Sequence, residues 1–374
     1  MCDVRAFCGN RALIRKGRDG KTPAYDGLVT RLLHRLLRPR ALALGVSLLA
    51  SALSGSFAAA QPSAAPRSDF PVALQIAGSA FGVRLEIEVL DLPQPAAEKA
   101  LGAAWDAVVR AEREVGKLTA AGGSARTVLS PDLFSLVSRA LSFCTWSDGA
   151  AGPVGATVYR LWEESALRGE LPTPDELEEA AKAARCAKVT LQSATRELRL
   201  TPGSGLDLRG FARGWAVDLA VRSLVEAGAT NLRVGLGPVT RAVGPGPAPE
   251  RTGWPVALPT LSASGSPLSR VLLQDQAIAV PHPEPTDIQI AGERFQPPYD
   301  LRTGRPATGV SSVAAVTKIA ADAEPLTMAM SVLGANGGQL RLGSLRPKPS
   351  VLWLLGTGDT AVVASSNWSA VRRP

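Results

Sequence analysis

The chain predicts an α+β fold of mixed or antiparallel sheets with packed helices, and three observations carry that expectation. Apolar residues alternate at Val83, Leu85, Ile87 and Val89, as in a strand buried on one face. Apolar residues recur three and four apart at Leu101, Trp105, Val108 and Val109, as in an amphipathic helix. The two kinds of run follow one another without the strict alternation of a parallel, doubly wound sheet.

Taken in order, residues 1–60 read as a leader. They hold 10 Lys and Arg against 3 Asp and Glu, which leaves 31 against 30 for the rest, so nearly all of the net charge of +8 lies in the leader. The balanced remainder argues against nucleic acid as a partner. Arg31, Arg35, Arg38 and Arg40 make a basic n-region, Ala41 to Leu53 an apolar h-region, and Ala58-Ala59-Ala60 a small-residue cleavage site before Gln61. The pattern predicts an exported, periplasmic bacterial protein with no stable membrane span after signal cleavage, since 41–53 is short and rich in alanine. Residues 61–69 read as a linker, and 70–374 as one domain. Beyond the leader stand two cysteines, Cys144 and Cys186, for which a disulfide and two buried thiols are both open readings.

Within the domain, Val83 to Leu90 is a strand and Pro95 to Val115 a helix. Ser130-Pro131-Asp132 starts a second helix, with serine as N-cap and proline at the first helical position. Pro174 to Ala184 is a short helix, acidic then basic. Glu197 to Leu200 is a strand, and Arg209 to Ala227 is a helix closed by Gly228. Strands are expected at Leu232 to Val234, Arg241 to Val243, Trp254 to Leu258, Val271 to Leu273 and Ser312 to Thr317. A helix from Pro325 to Leu333 and a hairpin around Gly356 to Asp359 follow.

The segment from Asp207 to Asp218 carries the most chemistry. A strand and a Pro-Gly-Ser-Gly turn lead into a helix start, where free N–H groups and the helix dipole attract anions. Gly210 and Gly214 permit close approach, and Arg213 adds a fixed positive charge. The pattern suits a phosphate-bearing ligand, and a packed strand-turn-helix joint is the plainer alternative.

The segment resembles the Asp-Leu-Gly-Gly-Ile-Ala-Lys-Gly-Tyr-Ala-Val-Asp signature of the FAD:protein FMN transferase family, magnesium-dependent enzymes that attach FMN to a Thr or Ser of an acceptor protein. Further pieces keep the family's order. Ala77-Gly78-Ser79 stands for Met-Gly-Thr, and Ser147-Asp148-Gly149-Ala150-Ala151-Gly152-Pro153 for Ser-Asp-Gly-Ala-Phe-Asp-Pro. Asp300-Leu301-Arg302-Thr303-Gly304 stands for Asp-Pro-Arg-Thr-Gly, and Val332-Leu333-Gly334 for the end of a late helix. The resemblance implies FAD as substrate, contacted by Gly78, Ser79, Asp148, Gly149, Asp207, Gly210, Arg213, Gly214, Asp218, Arg302, Thr303 and Gly304. It implies Asp300 and Arg213 as catalytic residues, and a flavin-accepting periplasmic or membrane redox protein as partner.

For Mg²⁺ the resemblance implies the Gly210 carbonyl, an Asp, and a Thr four residues later. A gapless match puts Glu324 and Met328 at those two places, and a one-residue slip offers Asp322 and Thr327. The implied metal set is therefore Gly210, Asp322, Glu324 and Thr327, with helix capping by Asp322 and Glu324 as the other reading. Several family positions are replaced. Gly152 stands for a carboxylate, Gly237-Pro238-Val239 for Gly-Gly-Asp, Pro297 for a histidine, and Val280-Pro281-His282-Pro283-Glu284 for Thr-Ser-Gly-Asp-Tyr. His282 is the one histidine past the leader. Two expectations follow: a transferase moving FMN from FAD to an acceptor hydroxyl, or a degenerate family member that binds flavin or a protein.

Overall fold

The structure, a computed structural model, describes residues 13–16, 71–120, 126–248, 252–258, 269–280, 288–356 and 362–373. The expected signal region, cleavage site and linker lie outside them, as does His282. Strands β1 (Leu13–Lys16), β2 (Pro71–Ala80), β3 (Val83–Pro93), β4 (Leu232–Leu236), β5 (Val239–Val243), β6 (Gln276–Ala279), β7 (Val310–Thr317), β8 (Ser350–Leu355) and β9 (Val362–Ser366) form one sheet. Its spatial order is its chain order, and every pair is antiparallel. The fold class is α+β, as the mixed periodicities predict.

Strand alternation sorts the side chains into two cores. Ala277 and Ala279 of β6 face the helices α1 (Gln94–Ala120) and α5 (Arg209–Glu226), in a cluster with Leu85, Ile87, Leu101 and Val217. Ile278 between them faces the opposite side, where the paired strands Trp254–Leu258 and Ser269–Leu273 cover the sheet with Trp254 and Leu273, joined there by Trp368. The helix α2 (Pro131–Trp146) begins as expected, with the Ser130 hydroxyl accepting the Leu133 amide and Pro131 in the first turn. Helix α4 (Pro174–Ala183) opens on a full capping box between Thr173 and Glu176. Among the described residues no helix is long and apolar enough to cross a membrane.

Several elements depart from expectation, among them β6 and the strand Val189–Gln192, for which no strand was expected. Helix α3 (Ala156–Arg168) is absent from the sequence reading. Its cap residue, Gly155, offers no side-chain acceptor, so the start carries no local signal. Strand β2 is also unanticipated, its Gly-Ser-Ala end having low strand preference. The late helix α6 runs Ala320–Leu342 rather than Pro325 to Leu333, with a break at Gly334 (φ 67°). Pro325 lies inside it. Its start is set by another helix: both Asp218 carboxylate oxygens accept amides, Oδ1 from Ala320 at 3.0 Å and Oδ2 from Ala321 at 2.8 Å. Asp322 therefore sits in the first helical turn and not in a free segment before it.

Candidate functional site

Most of the predicted site residues fall into two neighbouring groups, joined by the start of α5. The first is the α5–α6 joint. Arg213 Nε donates to Glu324 Oε1 at 2.6 Å, and the Gly214 amide donates to Glu324 Oε2 at 3.1 Å. Glu324 is 3 % exposed and the Arg213 side chain 16 %, so the ion pair is internal. Gly210 and Gly214 make the close approach possible. An added Cβ at Gly210 would overlap Met328 Sδ, and one at Gly214 would overlap the Ala320 carbonyl oxygen. Glu324 and Met328 therefore face the α5 glycines.

Asp322 is turned away from this joint: Arg139 of α2 holds it with Nε–Oδ1 2.6 Å and Nη2–Oδ2 2.7 Å. Thr327 is buried and its hydroxyl donates to the Glu324 carbonyl at 2.7 Å. Asp218 lies at the α6 cap described above and accepts from Arg241 Nη1 at 2.6 Å. Burial pushes its carboxyl above the usual range, against the pull of Arg241 and the two amides.

The donor set of this joint does not suit Mg²⁺. A hard divalent ion asks for oxygen ligands in octahedral array. Here the Glu324 carboxylate is committed to a guanidinium and an amide, Asp322 to Arg139, and a thioether lies on Gly210. Among the described residues no three His, Cys, Asp or Glu side chains gather as a metal-binding group.

A close steric comparison follows for the two glycines. Gly214→Ala is expected to cost about 2–3 kcal/mol by forcing backbone apart. Gly210→Ala meets only the mobile end of Met328, and a helix gains roughly 1 kcal/mol from alanine over glycine, so its net cost is smaller. Urea unfolding midpoints of the two variants check the order, and equal midpoints would contradict it.

The second group is a loop cluster around α3. Asp300 Oδ1 accepts the Arg302 amide at 3.0 Å, while Arg302 Nε and Nη2 return to the same carboxylate at 2.9 and 2.8 Å. That hydrogen bonding holds the Arg302 guanidinium above its ordinary value. The Asp300 carbonyl accepts the Gly304 amide at 2.8 Å, and the Gly304 carbonyl accepts Trp162 Nε1 at 2.7 Å. Thr303 Oγ1 accepts the Arg305 amide at 3.3 Å. Asp148 and Gly149 both take positive φ, 57° and 76°, in a tight turn. Gly149 lies against the Arg302 stem, and Asp148, 71 % exposed, pairs with Arg341 at 3.2 Å.

The Asp207–Arg209 turn repeats the Asp300–Arg302 arrangement. Asp207 Oδ1 accepts the Arg209 amide at 2.9 Å, and Arg209 Nη2 reaches Asp207 Oδ2 at 2.7 Å. The Arg209 guanidinium lies over the Tyr159 ring at 4.2 Å, and Tyr159 meets Tyr299 edge-on at 5.0 Å. Tyr299 stacks on Trp162 at 5.4 Å, and burial, with Glu163 adding, pushes its hydroxyl up to about 12. The hydroxyl is therefore a neutral donor at ordinary pH.

Gly78 and Ser79 lie in β2 with Trp105 over Gly78, and no hydrogen bond or ion pair among the described residues ties them to the loop cluster. Arg139, Tyr159 and Arg209 escaped the sequence reading. For Arg209 a signal was present: Asp-Leu-Arg occurs at both 207–209 and 300–302.

Cys144 and Cys186 form a disulfide, with Cα atoms 6.0 Å apart. It ties the end of α2 to the segment before the strand Val189–Gln192. The Gly149 amide donates to the Cys144 carbonyl at 2.8 Å, and a Cβ at Gly152 would overlap Cys144 Sγ. Glycine at 152 is thus required by the bridge itself.

The ApbE family model matches residues 81–350. An FAD:protein FMN transferase of Treponema pallidum is 29 % identical over 239 residues, covering 60 % of this chain and 66 % of the relative. One from Haemophilus influenzae is 24 % identical, covering 55 % and 61 %. The chain thus spans just under two thirds of the length of these relatives. Among solved structures, the flavinyl transferase ApbE of Pseudomonas stutzeri aligns with TM-score 0.66 at 19 % identity, covering 80 % of this chain and 96 % of that one. The ApbE protein of Thermotoga maritima aligns with TM-score 0.67 at 21 % identity, covering 80 % and 98 %. These likenesses establish the shared fold. With the family model covering well over half of its length, the chain belongs to the ApbE family.

Proposed function

We propose that this chain is an FAD:protein FMN transferase acting on a Thr or Ser of an acceptor protein. The observation that carries the proposal is the family match across residues 81–350, within which Arg302, beside the Gly149 turn, and Arg209, at the start of α5, are each displayed from an aspartate. In the reaction the acceptor hydroxyl oxygen bonds to the FMN phosphorus, the pyrophosphate P–O bond breaks, AMP leaves, and the hydroxyl proton passes to solvent. The protein's share is to hold two phosphates and the hydroxyl in line. Gly149, Arg302 and Thr303 line the loop side of the nucleotide in this reading, and Asp207 and Arg209 the helix side. Asp300 orients the Arg302 guanidinium through two bonds and fixes its backbone amide through a third.

The chain is exported in this proposal, and its acceptor is a periplasmic or membrane-bound redox protein. The basic and apolar runs of 31–53 and the Cys144–Cys186 bridge support export, since disulfides persist in oxidising compartments. To test the activity, the chain is incubated with FAD and a threonine-bearing acceptor, with and without Mg²⁺, and AMP and protein-bound flavin are measured. Release of AMP with equimolar covalent flavin is expected. Binding of FAD with no AMP in either condition would reassign the chain as a flavin-binding module.

A further inference from the structure

We propose that this chain recognises the flavin nucleotide without a divalent cation, the phosphate charge being met by guanidinium groups with Arg209 foremost. The inference rests on the flavin nucleotide being the ligand, and deepens that reading.

The α5–α6 joint already holds its own cation. In a regular helix the Gly214 amide points at the Gly210 carbonyl, so Glu324, which accepts that amide, lies beside the carbonyl the resemblance assigns to metal. Arg213 occupies the other carboxylate oxygen. A divalent ion entering here would meet the guanidinium charge at short range. It would also have to strip Glu324 of a buried partner and displace Met328 from Gly210. Asp322 gives no alternative while Arg139 holds both its oxygens.

Positive charge is instead presented a turn earlier. Arg209 stands where the family signature has glycine. It is half-exposed, pre-oriented by Asp207 and braced on Tyr159. Arg302 is displayed in the same way from Asp300, also half-exposed. Each guanidinium has one edge tied to its own aspartate, and the other edge of Arg209 faces the exposed Glu163 carboxylate at 3.6 Å, a solvent-screened pair that a phosphate oxygen would have to displace to take the fork it matches in geometry.

The test uses the full chain. Mn²⁺ binding is followed by electron paramagnetic resonance without nucleotide, and FAD affinity by fluorescence quenching in Mg²⁺ and in EDTA. Expected are no stoichiometric Mn²⁺ binding and FAD dissociation constants equal within about twofold in the two buffers. Stoichiometric Mn²⁺ binding, or FAD affinity at least about tenfold higher in Mg²⁺, would overturn the proposal. Arg209→Gly is expected to weaken FAD binding about tenfold in both buffers. An unchanged affinity would remove Arg209 from the ligand contact. The variant Arg213→Lys/Glu324→Asp/Met328→Thr, once shown folded by circular dichroism, is expected to gain Mn²⁺ binding. Failure to gain it would show that these three side chains are not what closes the joint to metal. If FAD binds in neither buffer, the transferase proposal itself falls, while the Mn²⁺ measurement still decides the metal question.

Discussion

Replacing Glu324 by leucine should destabilise the protein by about 3–5 kcal/mol, the range found when one partner of a buried ion pair is removed. The effect arises from Arg213. Its guanidinium is largely enclosed between α5 and α6 and would lose the Glu324 carboxylate. The Gly214 amide would lose its acceptor at the same step. The double variant Arg213→Leu/Glu324→Leu should recover much of the loss, because apolar side chains of similar volume replace buried pairs at little cost. Urea denaturation of the two single variants and the double variant checks this as a cycle. A loss below about 1 kcal/mol for Glu324→Leu would mean that Arg213 finds water when its partner is gone.

Removing the Cys144–Cys186 bridge should cost about 4 kcal/mol, the loop-closure estimate for the 42-residue separation it spans. The Cys144→Ser/Cys186→Ser variant isolates the effect from reagent chemistry. Denaturation midpoints give the global cost, and hydrogen exchange locates it. The Gly149 amide, which donates to the Cys144 carbonyl, should exchange faster, so that the loosening reaches the turn facing Arg302. An unchanged midpoint, with loss of the bridge verified by mass, would show that the surrounding packing holds these segments unaided.

What was legible in the amino-acid sequence was local. The Ser130 cap and the Pro174 start act within four residues, and their chemistry is written where the helix begins. The period-two run at β3 and the helical stripe of α1 declare themselves in the same way. What was missed acts at a distance. Helix α6 is capped by Asp218, 102 residues before it, so Pro325 misled as a start marker. Asp322 is claimed by Arg139 across 183 residues, which no spacing rule anticipates. The glycine signature was legible as a place of close approach, but not which groups approach. Met328 and the Ala320 carbonyl occupy that room. The two Asp-Leu-Arg triplets were visible, yet only their shared hydrogen bonding gives them a shared purpose.

Because sheet neighbours are chain neighbours, each long excursion departs from and returns to adjacent strands. The Leu90 amide bonds to the Asn231 carbonyl at 3.0 Å, so residues 91–230 leave and re-enter through one gate. The Gly244 amide bonds to Asp275 at 3.0 Å, and Val316 pairs with Ser350 around α6. Modules so attached can lengthen, shorten or be exchanged without shifting strand register. In such a meander the sheet is a rack and the chemistry is cargo: α2, α3 and α5 all ride on the first excursion.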